Sequence, residues 1–398
     1  MKKTEFLKSH KSPYISTFSA GIVASIFGCT GPMLIIVNAA ANMNLTLNQT
    51  VSWVFAIYFM GGLLGICLSL RYKMPISGAY SIAGAAMILN SGQMFTFNEM
   101  VFTYLVSGII ILLVGISGYK EKVIKLIPMP IVMGMIAGVL TKFCINMILA
   151  VGNNVIIGVI ILLVFFIALR YVPKIPPILF ALFAGMIFSF LVNDSIFSES
   201  NLEWILPSIY LPSISLDAII KISIPLSILI LGSENTQAIG VLISQGYKPP
   251  INTMTIFSGI ASILAALFGG HAANIAGPMT AICASPESSP DKNYRFMASV
   301  INGIIYLIFG IFASISIGII KLIPSNIIAI LAGLALISVL MKSYKDTFCS
   351  SNFKMGGLFS FLVALSGINI FGITSPLFAL ITGLVISFIV ETSDFKNI

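Results

Sequence analysis

Residues 268–285 read FGGHAANIAGPMTAICAS. Apolar chain flanks them on both sides. Yet the stretch holds two adjacent glycines, an asparagine, a proline and one of only two histidines in 398 residues. A helix whose whole task is to sit in lipid has no use for such residues. The interruption marks a place where the backbone stops being a spanning helix.

The composition around it decides the solvent. The chain is 58% hydrophobic and 9% charged, against about 25% charged for a soluble domain. That much apolar surface needs a bilayer to cover it, and apolar blocks of helical length predict an all-α integral membrane protein rather than a barrel. The net charge of +8 is spread as short clusters between apolar blocks, so it points to cytoplasmic loops and not to nucleic acid. The five cysteines (Cys29, Cys67, Cys144, Cys283 and Cys349) show no metal-ligand spacing and read as small buried hydrophobes. The basic N-terminus MKKTEFLKSHK has no cleavage site after it and predicts a retained first segment.

Fourteen apolar segments can be counted. Seven lie near 15–37, 50–70, 75–90, 98–117, 128–149, 153–171 and 177–193. Seven more lie near 219–243, 251–267, 271–285, 296–319, 324–341, 355–371 and 375–391. Segments 3 (75–90) and 10 (271–285) are too short and too polar to cross a core of about 30 Å. With the N-terminus inside, 18 of the 21 basic residues fall on the cytoplasmic side, all except Lys142, Lys221 and Lys321. The loop near 194–217, carrying Asp194, Glu199, Glu203 and Asp217, falls outside. The positive-inside rule therefore predicts cytoplasmic termini in the cytoplasmic membrane, provided both short segments count as crossings.

The chain repeats itself. KLIP occurs at 125–128 and 321–324, FALFAGMIFSF at 180–190 matches FALITGLVISF at 378–388, and Ile82-Ala83-Gly84 matches Ile275-Ala276-Gly277. The offsets are 196, 198 and 193. Two repeats, 1–198 and 199–398, with seven segments each lie upside down relative to one another, as in secondary transporters. MPISGAYSIAGAAMILN at 74–90 then holds in the first repeat the place of the opening stretch in the second. Each predicts an extended piece running to mid-membrane and a half-helix beginning there. Facing half-helix N-termini offer unpaired N–H groups and partial positive charge to an anion or a polar ring.

Several residues could serve such a site. Glu234 lies deep in segment 8, and an ionisable group at membrane depth is costly and usually functional. It is the candidate for proton coupling or substrate binding, with packing against nearby polar side chains as the alternative. Gln237 lies on its helical face. His271, at the entry to the second half-helix, can exchange a proton near neutral pH or serve structure. Asn274 can cap that half-helix or bind a ligand. Ala79, Tyr80 and Ser81 hold the matching place in repeat one, where Tyr80 can stack on an aromatic ligand or simply pack. Thr30, Gly31 and Pro32 break segment 1, either placing Thr30 and Gly31 on a wall of the site or simply kinking the helix at the proline. The chain has no phosphate loop, no H-E-x-x-H and no cysteine–histidine cluster, so neither a cofactor, a metal nor enzymatic chemistry is expected.

FGGHAANIAGPMTAICASPES and PISGAYSIAGAAMI, with GCTGPMLIIVNAA and GSENTQAIGVLISQGYKPP, resemble the benzoate:proton symporter family of the BenE type. That family is similar in fold to nucleobase permeases and to sulfate and bicarbonate transporters. The resemblance implies half-helices in segments 3 and 10, a core domain of segments 1–4 and 8–11, and a gate domain of segments 5–7 and 12–14. It also implies proton-coupled import of benzoate or a similar small aromatic or organic acid. Segment 8 reads Ser233-Glu234-Asn235 where that family usually has S-Q-N, and Tyr80 stands for its tryptophan. A carboxylate repels a benzoate anion unless protonated, which suits proton symport, whereas a neutral nucleobase-like ring is the alternative ligand. A channel or sensor of the same fold is the remaining reading. The expected partners are the substrate, protons and the bilayer, with the oligomeric state left open to a homodimer.

Overall fold

The computed structural model describes residues 13–29, 31–91, 94–119, 128–172, 177–192, 204–322, 324–370 and 373–397. Thr30, the basic clusters Lys2–Lys11 and Lys120–Lys125, Lys174, and the acidic residues Asp194, Glu199 and Glu203 lie outside the described residues.

Helices account for most of the described chain, and their ends follow local chemistry. Segment 2, Leu47–Tyr72, opens on a reciprocal box in which Gln49 N donates to Thr46 Oγ1 and Thr46 N donates to Gln49 Oε1. Segment 4, Phe97–Ser117, opens in the same way with Thr96 and Glu99. Each box satisfies two of the four orphan N–H groups at its helix start. Segments 5, 6 and 7 are Met129–Asn153, Val155–Tyr171 and Pro177–Val192. Segments 9, 12 and 14 are Ile251–Ala266, Ser325–Phe348 and Ser375–Val390. Among the described residues, five helices are long and apolar enough to cross a membrane: Leu47–Tyr72, Phe97–Ser117, Met129–Asn153, Leu216–Ser244 and Lys292–Ile311.

Some segments differ from the expected single helices. Segment 1 is two helices, Pro13–Cys29 and Gly31–Asn42. Pro32 has no N–H for the Gly28 carbonyl four residues earlier. That carbonyl instead accepts from Tyr58 Oη at 2.8 Å and Tyr80 Oη at 3.2 Å. Segment 8 carries two wide π turns, Ile219–Ser223 and Ile230–Glu234, within Leu216–Ser244. The first precedes Pro225, which again removes a donor. In the second, Thr236 Oγ1 donates to Leu231 O at 2.9 Å. Segment 11 breaks at Phe312 into Phe296–Ile311 and Ala313–Leu322. Segment 13 stops at Ser366, short of the expected 371, because Gly367 adopts φ +68° and caps it. Strands β3 (Asn369–Ile370) and β4 (Ile373–Thr374) then lead into segment 14.

The packing carries the seven-segment relation. Segment 2 packs along segment 11, and segment 4 along segment 9. A shift of seven segments exchanges these two pairs. Segment 5 packs along segment 12, its own mate under that shift. The fold is an all-α membrane bundle of two inverted seven-segment halves, with short helices at Ile82–Ser91 and Gly277–Ala284.

Candidate functional site

The extended pieces before the two short helices meet. Strand β1 (Gly78–Ala79) pairs antiparallel with β2 (Asn274–Ile275), Gly78 opposite Ile275 and Ala79 opposite Asn274. Ala276 N adds a bond to Ser77 O at 3.0 Å. Irregular backbone at this depth must have its polar groups satisfied by protein. Serines of the neighbouring helices do this on both sides. Ser69 Oγ of segment 2 donates to Ile76 O at 2.9 Å, while Ser258 and Ser262 of segment 9 donate to Ala273 O at 2.6 and 3.0 Å. Close approach to segment 2 requires glycine: a Cβ on Gly65 would come within 2.6 Å of Gly78 N.

The short helices run about 15 and 12 Å at 1.5 Å per residue. Ser81 caps the first, its Oγ accepting from Gly84 N at 2.8 Å. The second has Ala276 at its N-cap with no side-chain bond, and Pro278 in its first turn, where a missing N–H is harmless. Asn274 therefore does not cap this helix, because it sits on β2, two residues ahead of the N-cap. Its Nδ2 donates instead to Glu234 Oε2. At the other end of the helix, Arg295, 8% exposed, donates from Nη1 to Ala284 O and from Nε to Ser289 O, both at 2.9 Å. Arg295→Met leaves those buried carbonyls unpaired, and the thermal midpoint of the solubilised protein is expected to fall by an amount equivalent to about 2–3 kcal/mol. Arg295→Lys is expected to recover part of it.

His271 is fully buried. Trp53 Nε1–H donates to its Nδ1 at 3.0 Å, and its Nε2 lies 2.7 Å from the Ser81 carbonyl. Indole is a donor only, so Nδ1 carries no proton and Nε2–H donates to Ser81. A histidine from the second half thus pins the cap of the first half's short helix. The expectation that His271 takes a proton or a ligand finds both ring nitrogens engaged with protein. Trp53→Phe is expected to release Nδ1. ¹⁵N spectra, in which His271 has only His10 for company, then show Nε2–H still in place, held by the Ser81 carbonyl, and a shifted resonance for Nδ1, which has lost its donor.

Tyr80 is equally committed. It is 2% exposed, its hydroxyl lies 2.9 Å from Tyr58 Oη, and its ring packs edge-on against Tyr58 with centroids 5.0 Å apart. Ser81 is fully buried and Ala79 nearly so.

Segment 8 supplies a different set of groups. Glu234 closes the second π turn, a local geometry often found at functional sites. Next to it, Asn235 Oδ1 accepts from Ile275 N at 2.9 Å. Gln237 lies over the start of the second short helix, where a Cβ on Gly277 would meet its Cγ and Cδ at 2.5 Å. Asn235, Gln237 and Asn274 are at most 6% exposed. Among the described residues, nothing pairs with Asn235 Nδ2, Gln237 Nε2 or Asn274 Oδ1. Three unsatisfied amide atoms around one carboxylate and one helix N-terminus are unusual for a buried region. The structure thus brings together Glu234, Gln237 and Asn274, adds Asn235, and bonds the polar atoms of Tyr80 and His271 to protein. Gly31 lies at the break in segment 1. Trp53 was not legible as a partner of His271, since 218 residues separate them.

Crossed extended stretches between two short helices are set here in a bundle of spanning helices, the architecture of a multi-pass integral membrane protein. The transmembrane domain of a cyanobacterial bicarbonate transporter, BicA, superposes with a TM-score of 0.56 at 14% identity, covering 95% of this chain and 99% of that one. SLC26A9 superposes at 0.57 and 13% identity, covering 95% and 65%. In sequence, the benzoate membrane transport protein of Acinetobacter baylyi is 29% identical over 387 residues, 97% of this chain and 98% of that protein. The Escherichia coli inner membrane protein YdcO is 29% identical over 367 residues, 92% and 94%. The family model for the benzoate membrane transport protein, BenE, matches residues 12–389. The chain belongs to this family of membrane transporters and is not an enzyme.

Proposed function

We propose that the chain is a proton-coupled symporter importing benzoate or a similar small aromatic acid across the cytoplasmic membrane, with both termini on the cytoplasmic side. The observation that carries this reading is the Glu234 carboxylate beside unpaired amide N–H groups at the start of a short helix. The substrate carboxylate accepts from Asn235 Nδ2, Gln237 Nε2 and the N-terminus of Gly277–Ala284, a site favourable to an anion without a lysine. Two negative charges cannot share this space in low dielectric. Glu234 therefore carries the proton that allows the anion to bind, and His271 holds the turn. Segments 1–4 and 8–11 form the core that bears the site, and segments 5–7 and 12–14 form the gate. Segments 5 and 14 pack against segment 8 beside Glu234.

Uptake of labelled benzoate into proteoliposomes, with and without an inside-alkaline gradient, tests this reading. Gradient-stimulated uptake that unlabelled aromatic acids compete away is expected. Glu234 and Asn274 Oδ1 could instead accept from the ring N–H groups of a neutral nucleobase. Competition by uracil or xanthine and none by benzoate would establish that reading, and flux at channel rates would remove both.

A further inference from the structure

Asn274 has two polar ends in unequal circumstances. It is 1% exposed, and its backbone is held opposite Ala79 in the β1–β2 pair. Its nitrogen donates to Glu234, and among the described residues no donor reaches its oxygen. A buried acceptor without a donor is unfavourable. The cause lies in the partner: an ionised carboxylate only accepts, so the amide must turn its nitrogen toward it. A protonated carboxyl gains one O–H donor. Turning the amide half a revolution about its last side-chain bond then lets Oδ1 accept that O–H, and the same rotation turns Nδ2 away from Glu234.

We propose that Asn274 couples proton to substrate. Its nitrogen is spent on Glu234 while Glu234 is charged, and it becomes a donor to the substrate carboxylate only once Glu234 is protonated. The inference rests on the reading of Glu234 as the proton carrier. It adds a gain of attraction to the loss of repulsion, so a single proton changes two terms in the same direction. Other ionisable groups near this turn are few. Segment 14, Ser375–Val390, has none. The opening of the β2 stretch contributes His271, bonded at both nitrogens. The second short helix contributes Cys283, which faces Ser77 and Ser299. Segment 5 contributes Cys144, directed at Gly333 O, and Lys142, whose ammonium lies against Gly367.

The test is calorimetric binding of benzoate to the full-length protein in nanodiscs at about pH 5.5 and about pH 8.5, one on the acidic and one on the alkaline side of the ordinary histidine value. Asn274→Ala is expected to weaken binding about tenfold at the acidic pH, the scale of one charge-assisted hydrogen bond, and by less than about twofold at the alkaline pH. Asn274→Val, which suits a strand, is expected to behave likewise and guards against a folding defect in the first variant. Equal losses at the two pH values in both variants would overturn the proposal. Glu234→Gln separates the two layers. Should it keep the native pH dependence, the reading of Glu234 itself fails. Should it flatten that dependence while Asn274→Ala in the native background weakens binding equally at both pH values, only the role of Asn274 fails.

Discussion

Glu234→Gln is expected to end accumulation of substrate driven by a pH gradient while leaving counterflow exchange of pre-loaded substrate in place. Glutamine has the shape of the protonated acid, and its side-chain nitrogen can donate to Asn274 Oδ1 as the protonated carboxyl does. What it lacks is the proton that comes and goes. On the proposed reading each pH unit across the membrane supplies the native protein with about 1.4 kcal/mol per coupled proton, or about tenfold in accumulation. In the variant that ratio falls to about one, because transport is no longer linked to the gradient. The sign of the pH effect follows from the same argument. On the proposed reading protonated Glu234 accepts the anion, so native affinity is expected to be highest on the acidic side and to decline as pH rises through the carboxyl's titration. The variant's affinity is flat over that range. Gradient-driven uptake by Glu234→Gln at the native level would remove Glu234 from coupling.

Gly78→Ala has the largest expected effect on the fold. A Cβ there would meet the Gly61 carbonyl oxygen and lie 2.5 Å from Gly65 N. Both are backbone atoms of segment 2, and no side-chain rotation relieves the contact. Overpacking a tight core costs typically about 1–3 kcal/mol. Here the strand or the whole of segment 2 must shift, so the loss is placed at about 3 kcal/mol or above. Gly152→Ala is the control, since nothing lies within 4 Å of its added methyl. Thermal midpoints from size-exclusion profiles of the solubilised proteins are expected to fall sharply for Gly78→Ala and to stay near native for Gly152→Ala. An unchanged midpoint for Gly78→Ala would mean that β1 does not lie on segment 2 as described.

The spans were legible because their signal is local. Segment 4 was expected at 98–117 and is Phe97–Ser117, and segment 7 at 177–193 is Pro177–Val192. The short segments 3 and 10 announced themselves through glycine, proline and polar residues where lipid tolerates none. Glu234 was legible for the same reason. What stayed hidden were features without a local signature. A π turn adds one residue to a helix that is mostly apolar, and the surrounding hydrophobic run conceals the change of phase. The run after Gly367, INIFGI, is as apolar as the helix before it, and only the positive φ at Gly367 separates them. The Trp53–His271–Ser81 contact joins three distant parts of the chain. Without it His271 read equally well as a proton carrier and as a strut.

The two-residue pair of β1 and β2 has a consequence for selectivity. It bolts the starts of both short helices to one another through main-chain bonds, with Ala276 N to Ser77 O as a further fastening. The gap between those helix starts is then expected to act as a gauge that keeps its width through a transport cycle. A molecule too broad for it on the outer face is too broad on the inner face as well. Discrimination by size should then be the same for influx and efflux. Whatever asymmetry the two directions show must arise from the proton and from the surfaces that slide past this gauge.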